Sequence, residues 1–246
     1  MDRLIYTVAS GTKHIMEQQA TTSNNLANAS TTGFRAQLDS FRAVPVQSEG
    51  LPTRAFVVDN TVGSDYAAGA LQATGRELDV AVKGKGWIAV QMADGSESYT
   101  RNGAFQVSPN GILQTSSGQT VAGENGPITI PPDSRVAVGG DGTVSTLSTT
   151  TVPSTSTVLG RIKLVNPNEA DLVRGDDGMF RLKDGTPAQA DPTVGVVGGA
   201  LEGSNVSTVD AMVNMISLAR SFETQMSMLK NAENNAAKAT QILALN

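Results

Sequence analysis

The chain has 246 residues, of which 39% are apolar, 4% aromatic and 17% charged, with a net charge of −5. Aromatics are scarce, with one tryptophan, so one thick core is not expected. The acidic balance supplies no basic footprint for nucleic acid. Zero cysteines exclude disulfides and thiol chemistry, and the single histidine, His14, builds neither a multi-histidine metal site nor a Ser/His/Asp triad.

The first element is a helix. From Asp2 to about Ala29 there is no proline, and Leu4, Val8, Gly11, Ile15, Thr22, Leu26 and Ala29 recur mostly three or four apart, the seam of an amphipathic helix. Such a helix is roughly 42 Å long. His14 is expected at an exposed polar position on it. Gly33 is expected to end it in the left-handed conformation, with Phe34 folded back on the last turn. Asn24, Asn25 and Asn28 lie near that end, where carbonyls lack intrahelical partners, and their amides are expected to fix the junction. Residues 35–76 carry Pro45, Pro52 and several glycines with weak periodicity, and read as an extended connector.

The middle reads as β. The runs 78–82, 86–92, 97–100, 104–107, 112–115, 127–131, 135–138, 161–165 and 179–182 are short and rich in β-branched and aromatic residues. Asn102-Gly103, Asn110-Gly111, Asp141-Gly142, Asp177-Gly178 and Asp184-Gly185 punctuate them as turns. An antiparallel sandwich or partly closed barrel is expected. Residues 143–157, with 11 Ser or Thr in 15 positions, read as a long surface loop.

The last element is a second long helix, roughly 52 Å, capped by Ser207 with Asp210. Val209, Met212, Ile216, Ala219, Phe222, Met226, Leu229, Ala232, Ala236, Ala239 and Leu243 make one sustained stripe along it. The fold class that follows is α+β, with long N- and C-terminal helices pairing as a coiled coil and a central mainly antiparallel β domain. The domains expected are 1–34 plus 204–246 (terminal helices), 35–76 (connector) and 77–203 (β).

No motif carries chemistry. Lys83-Gly84-Lys85-Gly86 lacks the lysine-serine ending and the following helix of a phosphate loop, and reads as a turn. Asp141 and Asp176-Asp177 lack a twelve-residue calcium loop. Asn28-Ala29-Ser30 and Asn205-Val206-Ser207 match the glycosylation pattern at chance frequency. Glu77 and Asp79 are the nearest thing to a hydrolase carboxylate pair, which would need a cleft. No cofactor or metal is expected. No apolar run reaches the roughly 18 residues of a membrane span, and the first residues lack a cleavable secretory signal. The two long seams ask for neighbours, which means self-assembly or docking into a helical bundle.

The residues SNNLANASTTGF (23–34) resemble the N-terminal signature of the bacterial flagellar rod and hook proteins, and LEGSNVSTVDAMVNMI (201–216) resembles their second signature. LDVAVKGKGWIAV, YTRNGAFQV and NGILQT resemble the family's shared β domain. Within the family, FRAQLDSFRAVPV, LPTR and LVRGDDGMFRL look most like a proximal rod member, with the distal rod protein as the alternative. The resemblance implies a structural axial subunit in the rod crossing the periplasm, transmitting torque from rotor to hook. It implies copies of the chain and neighbouring rod proteins as partners, and export without a cleavable signal by the flagellar type III apparatus. The residues expected at assembly interfaces are Leu4, Val8 and Ile15 on the first helix, Asn24, Asn25, Leu26, Asn28, Gly33 and Phe34 at its end, Asn205 and Val206 in the second signature, and Met212, Ile216, Phe222, Met226, Leu229 and Leu243 on the last helix. The readings from other classes are a carboxylate-dependent peptidoglycan hydrolase and a free adhesin or binding module.

Overall fold

The structure is a computed structural model that describes residues 2–45, 55–132, 134–148 and 156–243. The chain divides into two compact units. The helical unit comprises Met1–Ala29, Ala36–Asp65 and Val206–Asn246, and the β unit comprises Ser30–Arg35 and Tyr66–Asn205.

In the helical unit, α1 (Asp2–Ala27) and α2 (Thr208–Leu243) lie against each other, with Gly11 facing the Gln225 amide. Ser207 caps α2, its Oγ accepting from the Asp210 N–H at 3.3 Å. Strands β1 (Gln37–Pro45) and β2 (Ala55–Ser64) form an antiparallel ribbon with a bulge after Ser40. A two-stranded ribbon is marginal alone, and α1 supports this one. Thr21 Oγ1 donates to Asp39 Oδ1 at 2.8 Å, and the His14 ring meets Phe41 edge-on at 3.6 Å between centroids. His14 is therefore half-buried against an aromatic ring, not exposed as expected.

In the β unit the largest sheet runs, by neighbour, 172–174, 180–182, 97–100, 87–91, 120–123, 113–115 and 105–107, all antiparallel, with 126–127 and 164–165 pairing onto it. Residues 134–138, 143–148 and 156–161 make a separate three-stranded sheet. Two small pairs join 80–83 to 195–198 and 71–73 to 200–202. Trp87–Val90 is buried on both faces: Ile88 and Val90 join a core with Val80, Phe105, Leu113 and Val121, while Trp87 and Ala89 join Tyr99, Leu172 and Phe180. This is why that run shows no polar alternation. Turns repeat one device, an aspartate accepting from the N–H and hydroxyl of the Ser or Thr two residues on. It occurs at Asp94, Asp141, Asp184 and Asp191, and these hydrogen bonds hold the four carboxyls below the usual carboxylate range.

The expected fold class, a coiled coil of terminal helices plus one central antiparallel β domain, is corrected. Strand structure is not confined to the centre: residues 37–45 and 55–64, read within a connector, form the ribbon that belongs with the helices. The central strands fall into several antiparallel sheets, of which the three-stranded one shares the core of the largest through Val136 and Val144. Thr143–Ser148 and the first two residues of Ser156–Arg161, read within a loop, are in strands, with Val144 and Thr146 buried at alternate positions of the first as a pleated surface requires. Nor is there a buried coiled-coil seam along α2, where Ala211 is the one fully buried side chain among those described.

Candidate functional site

Two faces of α2 carry the candidate site. The less exposed positions are Ala211, Met215, Leu218, Phe222, Gln225, Leu229 and Ala232, alternating steps of four and three, and this is the face turned to the rest of the helical unit. At about 3.6 residues per turn the opposite face carries Val209, Met212, Val213 and Ile216. These four are 68%, 53%, 60% and 56% exposed. Beyond Ile216 the same face turns polar, with Arg220, Glu223 and Lys230 exposed. The outward apolar patch therefore occupies only the first turns of α2. Met226 flanks the inner stripe and is also exposed.

The predicted stripe thus mixes two faces. Phe222 and Leu229 belong to the inner one, Met212 and Ile216 to the outer one. A reading by steps of three or four drifts around the helix, since either step is allowed at each position. On α1, Val8 and Ile15 are buried, Leu26 is half-buried and Tyr6 and Met16 face outward. Leu4 and Leu243 have their backbones, but not their side chains, among the described residues.

The asparagines at the end of α1 hold two elements together. Asn25 Nδ2 donates to the Gln37 carbonyl at 2.9 Å while its Oδ1 accepts from the Gln37 N–H at 2.8 Å, as a strand neighbour would. Asn28 Nδ2 donates back to the Asn24 carbonyl at 2.9 Å. Gly33 is left-handed, with φ of 69°, but α1 ends at Ala27, so it is not that helix's C′ residue. It belongs to the β unit, where a Cβ on it would overlap the Arg101–Asn102 peptide. Phe34 is buried there under the Arg174 guanidinium, 4.5 Å from ring centroid to carbon, instead of folding back on a helix. Burial pulls that guanidinium below its ordinary range.

Sequence reading missed a buried ion cluster beside Gly33. Arg35 Nη2 donates to Glu202 Oε1 at 2.6 Å and Arg101 Nη1 to Glu202 Oε2 at 3.0 Å, all three side chains within 4% of full burial. Glu202 Oε1 also accepts from the Gly69 N–H at 2.9 Å, and Arg101 Nη2 donates to the Gly84 carbonyl. Both guanidiniums lie over Trp87, at 5.3 Å for Arg101 and 6.0 Å for Arg35. The signal available in the sequence was that Arg35 directly follows the N-terminal signature, just past Gly33-Phe34, and Glu202 lies within the C-terminal one, just before Gly203-Ser204-Asn205. Asn205 Nδ2 donates to the Ala67 carbonyl at 3.1 Å, and Val206 begins the return to the helical unit.

The acidic candidates are occupied by cations. Glu77 pairs with Arg135 at 2.8 Å, and buried Asp79 lies 3.5 Å from Arg76. Among the described residues no group of three or more His, Asp or Glu is placed to hold a metal ion, and no helix is long and apolar enough to cross a membrane.

An outward apolar patch on a terminal helix, a ribbon bracketed to the other helix and two signature segments locked in one cluster describe a subunit built for assembly. Comparison with known proteins gives its class. Residues 5–35 match the family model described as flagella basal body rod protein, residues 81–146 that of the flagellar hook protein FlgE/F/G D1 domain, and residues 197–242 that of the flagellar basal body rod FlgEFG protein C-terminal. The flagellar basal-body rod protein FlgF of Escherichia coli is 48% identical over 100% of both chains, and that of Salmonella typhimurium 46% identical over the same span. The rod protein FlgG of Buchnera aphidicola (from Schizaphis graminum) is 31% identical over 89% of this chain and 92% of its own. The chain belongs to the flagellar basal-body rod protein family, within which it is most like FlgF. It is a structural rod protein, not an enzyme, and its place is the flagellum.

Proposed function

We propose that this chain is a proximal subunit of the axial drive shaft, adding to copies of itself and to neighbouring rod proteins and carrying torque across the periplasm towards the hook. The outward apolar face at Val209, Met212, Val213 and Ile216 supports this reading most directly. These four large apolar side chains stand together on adjacent turns of one helix face, each gaining roughly 1.5–3 kcal/mol on full burial, and such a contiguous patch is suited to assembly. Addition through unlike patches on successive subunits gives an open helical array instead of a closed ring. The helical unit, Met1–Ala29, Ala36–Asp65 and Val206–Asn246, supplies these contacts, and the β unit forms the outer layer. The 48% and 46% identities to the FlgF proteins of Escherichia coli and Salmonella typhimurium, over 100% of both chains, support the proximal position. Delivery through the hollow axis by the flagellar type III apparatus, without a cleavable signal, completes the reading.

The test is Ile216→Asp expressed in place of the native chain. The variant is expected in the secreted fraction and absent from isolated basal bodies, with cells non-motile, because a charge on the outward face meets an apolar neighbour. Motile cells whose basal bodies contain the variant would refute the assignment.

A further inference from the structure

Arg35 and Arg101 place two like charges in one buried position, and the carboxylate that touches both is Glu202. It comes last in the chain by a wide margin, 167 residues after Arg35 and 101 after Arg101. Taking a guanidinium out of water is costly unless it is paired, and two guanidiniums left together also repel. Burial already pulls Arg101 below its ordinary range; Glu202 draws it back up and Arg35 adds to the fall.

Hydrogen bonds of Glu202 and the residues just after it tie together the three segments by which the chain crosses the boundary of the β unit after Gly33. The Gly33 N–H donates to the Glu202 carbonyl at 2.7 Å, the Gly203 N–H to the Ala70 carbonyl at 2.8 Å and the Asn205 N–H to the Phe34 carbonyl at 3.4 Å. The Gly69 N–H donates to the Glu202 carboxylate, and a Cβ on Gly69 would overlap the Gly203 carbonyl. By contrast, neither apolar core of the unit draws a buried member from residues 30–35 or 200–205. Tyr66 packs against Trp87 and Phe180 beside the second core and Phe34 lies under Arg174, but the contacts that join these segments to one another are polar and gather around Glu202.

We propose that Glu202 is the closing element of the β unit, so that segments 30–35 and 66–70 dock only when the strand Ala200–Glu202 is in place. The C-terminal signature thereby completes the unit into which the N-terminal signature fits. In a chain made or delivered N-terminus first, the apolar strands assemble while this corner stays open, and the arrival of residue 202 fixes all three passages in one event. The two signatures are then halves of one lock, a role separate from the contacts α2 makes with neighbours.

The test is amide hydrogen exchange on the full-length chain, comparing the native sequence with Glu202→Gln, Arg101→Gln and Val121→Ala. Glu202→Gln is expected to speed exchange by at least about tenfold at 30–36, 66–70 and 199–203 while 87–91 and 120–123 stay within about twofold of native. Arg101→Gln leaves the Arg35–Glu202 pair intact and keeps 30–36 protected. Val121→Ala, a core truncation, loosens 87–91 and 120–123 instead. Unchanged exchange at 30–36 and 66–70 in Glu202→Gln would overturn the proposal, as would a uniform increase across the unit or an equal opening by Arg101→Gln.

Discussion

Asn25 does for β1 what a neighbouring strand would do, giving and taking one hydrogen bond with the same residue, Gln37. Asn25→Leu keeps the branching at Cγ and removes both, leaving a peptide N–H and C=O unpaired at a cost of about 1–3 kcal/mol each where they are kept from water. The expected outcome is a lower urea midpoint for the helical unit and unchanged exchange at 87–91 in the β unit; an unaltered midpoint would show that water replaces the amide. Gly33→Ala acts differently. The left-handed backbone alone costs an L-residue about 1–2 kcal/mol, and the Arg101–Asn102 peptide leaves no room for the methyl. The β unit should lose more than that amount in denaturant unfolding, and a loss below it would mean the peptide simply moves aside. Tyr99 gives a pH signature. Its buried hydroxyl accepts from the Ala188 N–H at 2.8 Å, and burial pushes its pKa up from 10.0 to about 12. The unfolded phenol ionises first, so stability present below pH 10 is lost as the pH rises towards 12. Thermal unfolding at pH 8 and pH 11.5 should show the advantage of the native chain over Tyr99→Phe shrinking at the higher pH; a constant difference would contradict the assignment.

At the scale of elements, the proposed function has α2 separate folding from assembly by face. Phe222 lies on the inner stripe and Ile216 on the outer one. Phe222→Asp should therefore lower the helix content and melting temperature of the purified chain, losing part of the roughly 1.5–3 kcal/mol of a buried phenylalanine, whereas Ile216→Asp should leave both unchanged. Equal effects on the purified chain would mean that the two faces are not distinct. Much of this was legible in the sequence. Both helices and the Ser207 cap follow from periodicity and capping rules, although α1 ends at Ala27 and not at the expected Gly33 stop, and the family follows from the two signatures. The faces were not, because steps of three and four fit either stripe when apolar residues occur on both sides, as they do from Val209 to Leu218. The ribbon at 37–64 was hidden for a related reason: its strands are held by contacts with α1, such as those of His14 and Thr21, and not by a hydrophobic alternation of their own. The lock at Glu202 was hidden because arginine and glutamate far apart in sequence read as surface charges until the fold brings them together.

At the scale of the whole molecule, the central claim is that the outward face of α2 is covered by a neighbour in the rod. A chain without cysteine makes this directly measurable, since one introduced thiol is the only one present. Val213→Cys places it in the middle of the outward patch, and Ser117→Cys places it at an exposed turn of the β unit. The measurement is maleimide labelling of each variant, as purified chain and in isolated basal bodies. The thiol at position 213 should label readily in the purified chain and be protected in the basal body, while that at position 117 labels in both. Equal labelling at position 213 in the two states would contradict the account, because the patch would then face solvent in the assembled rod.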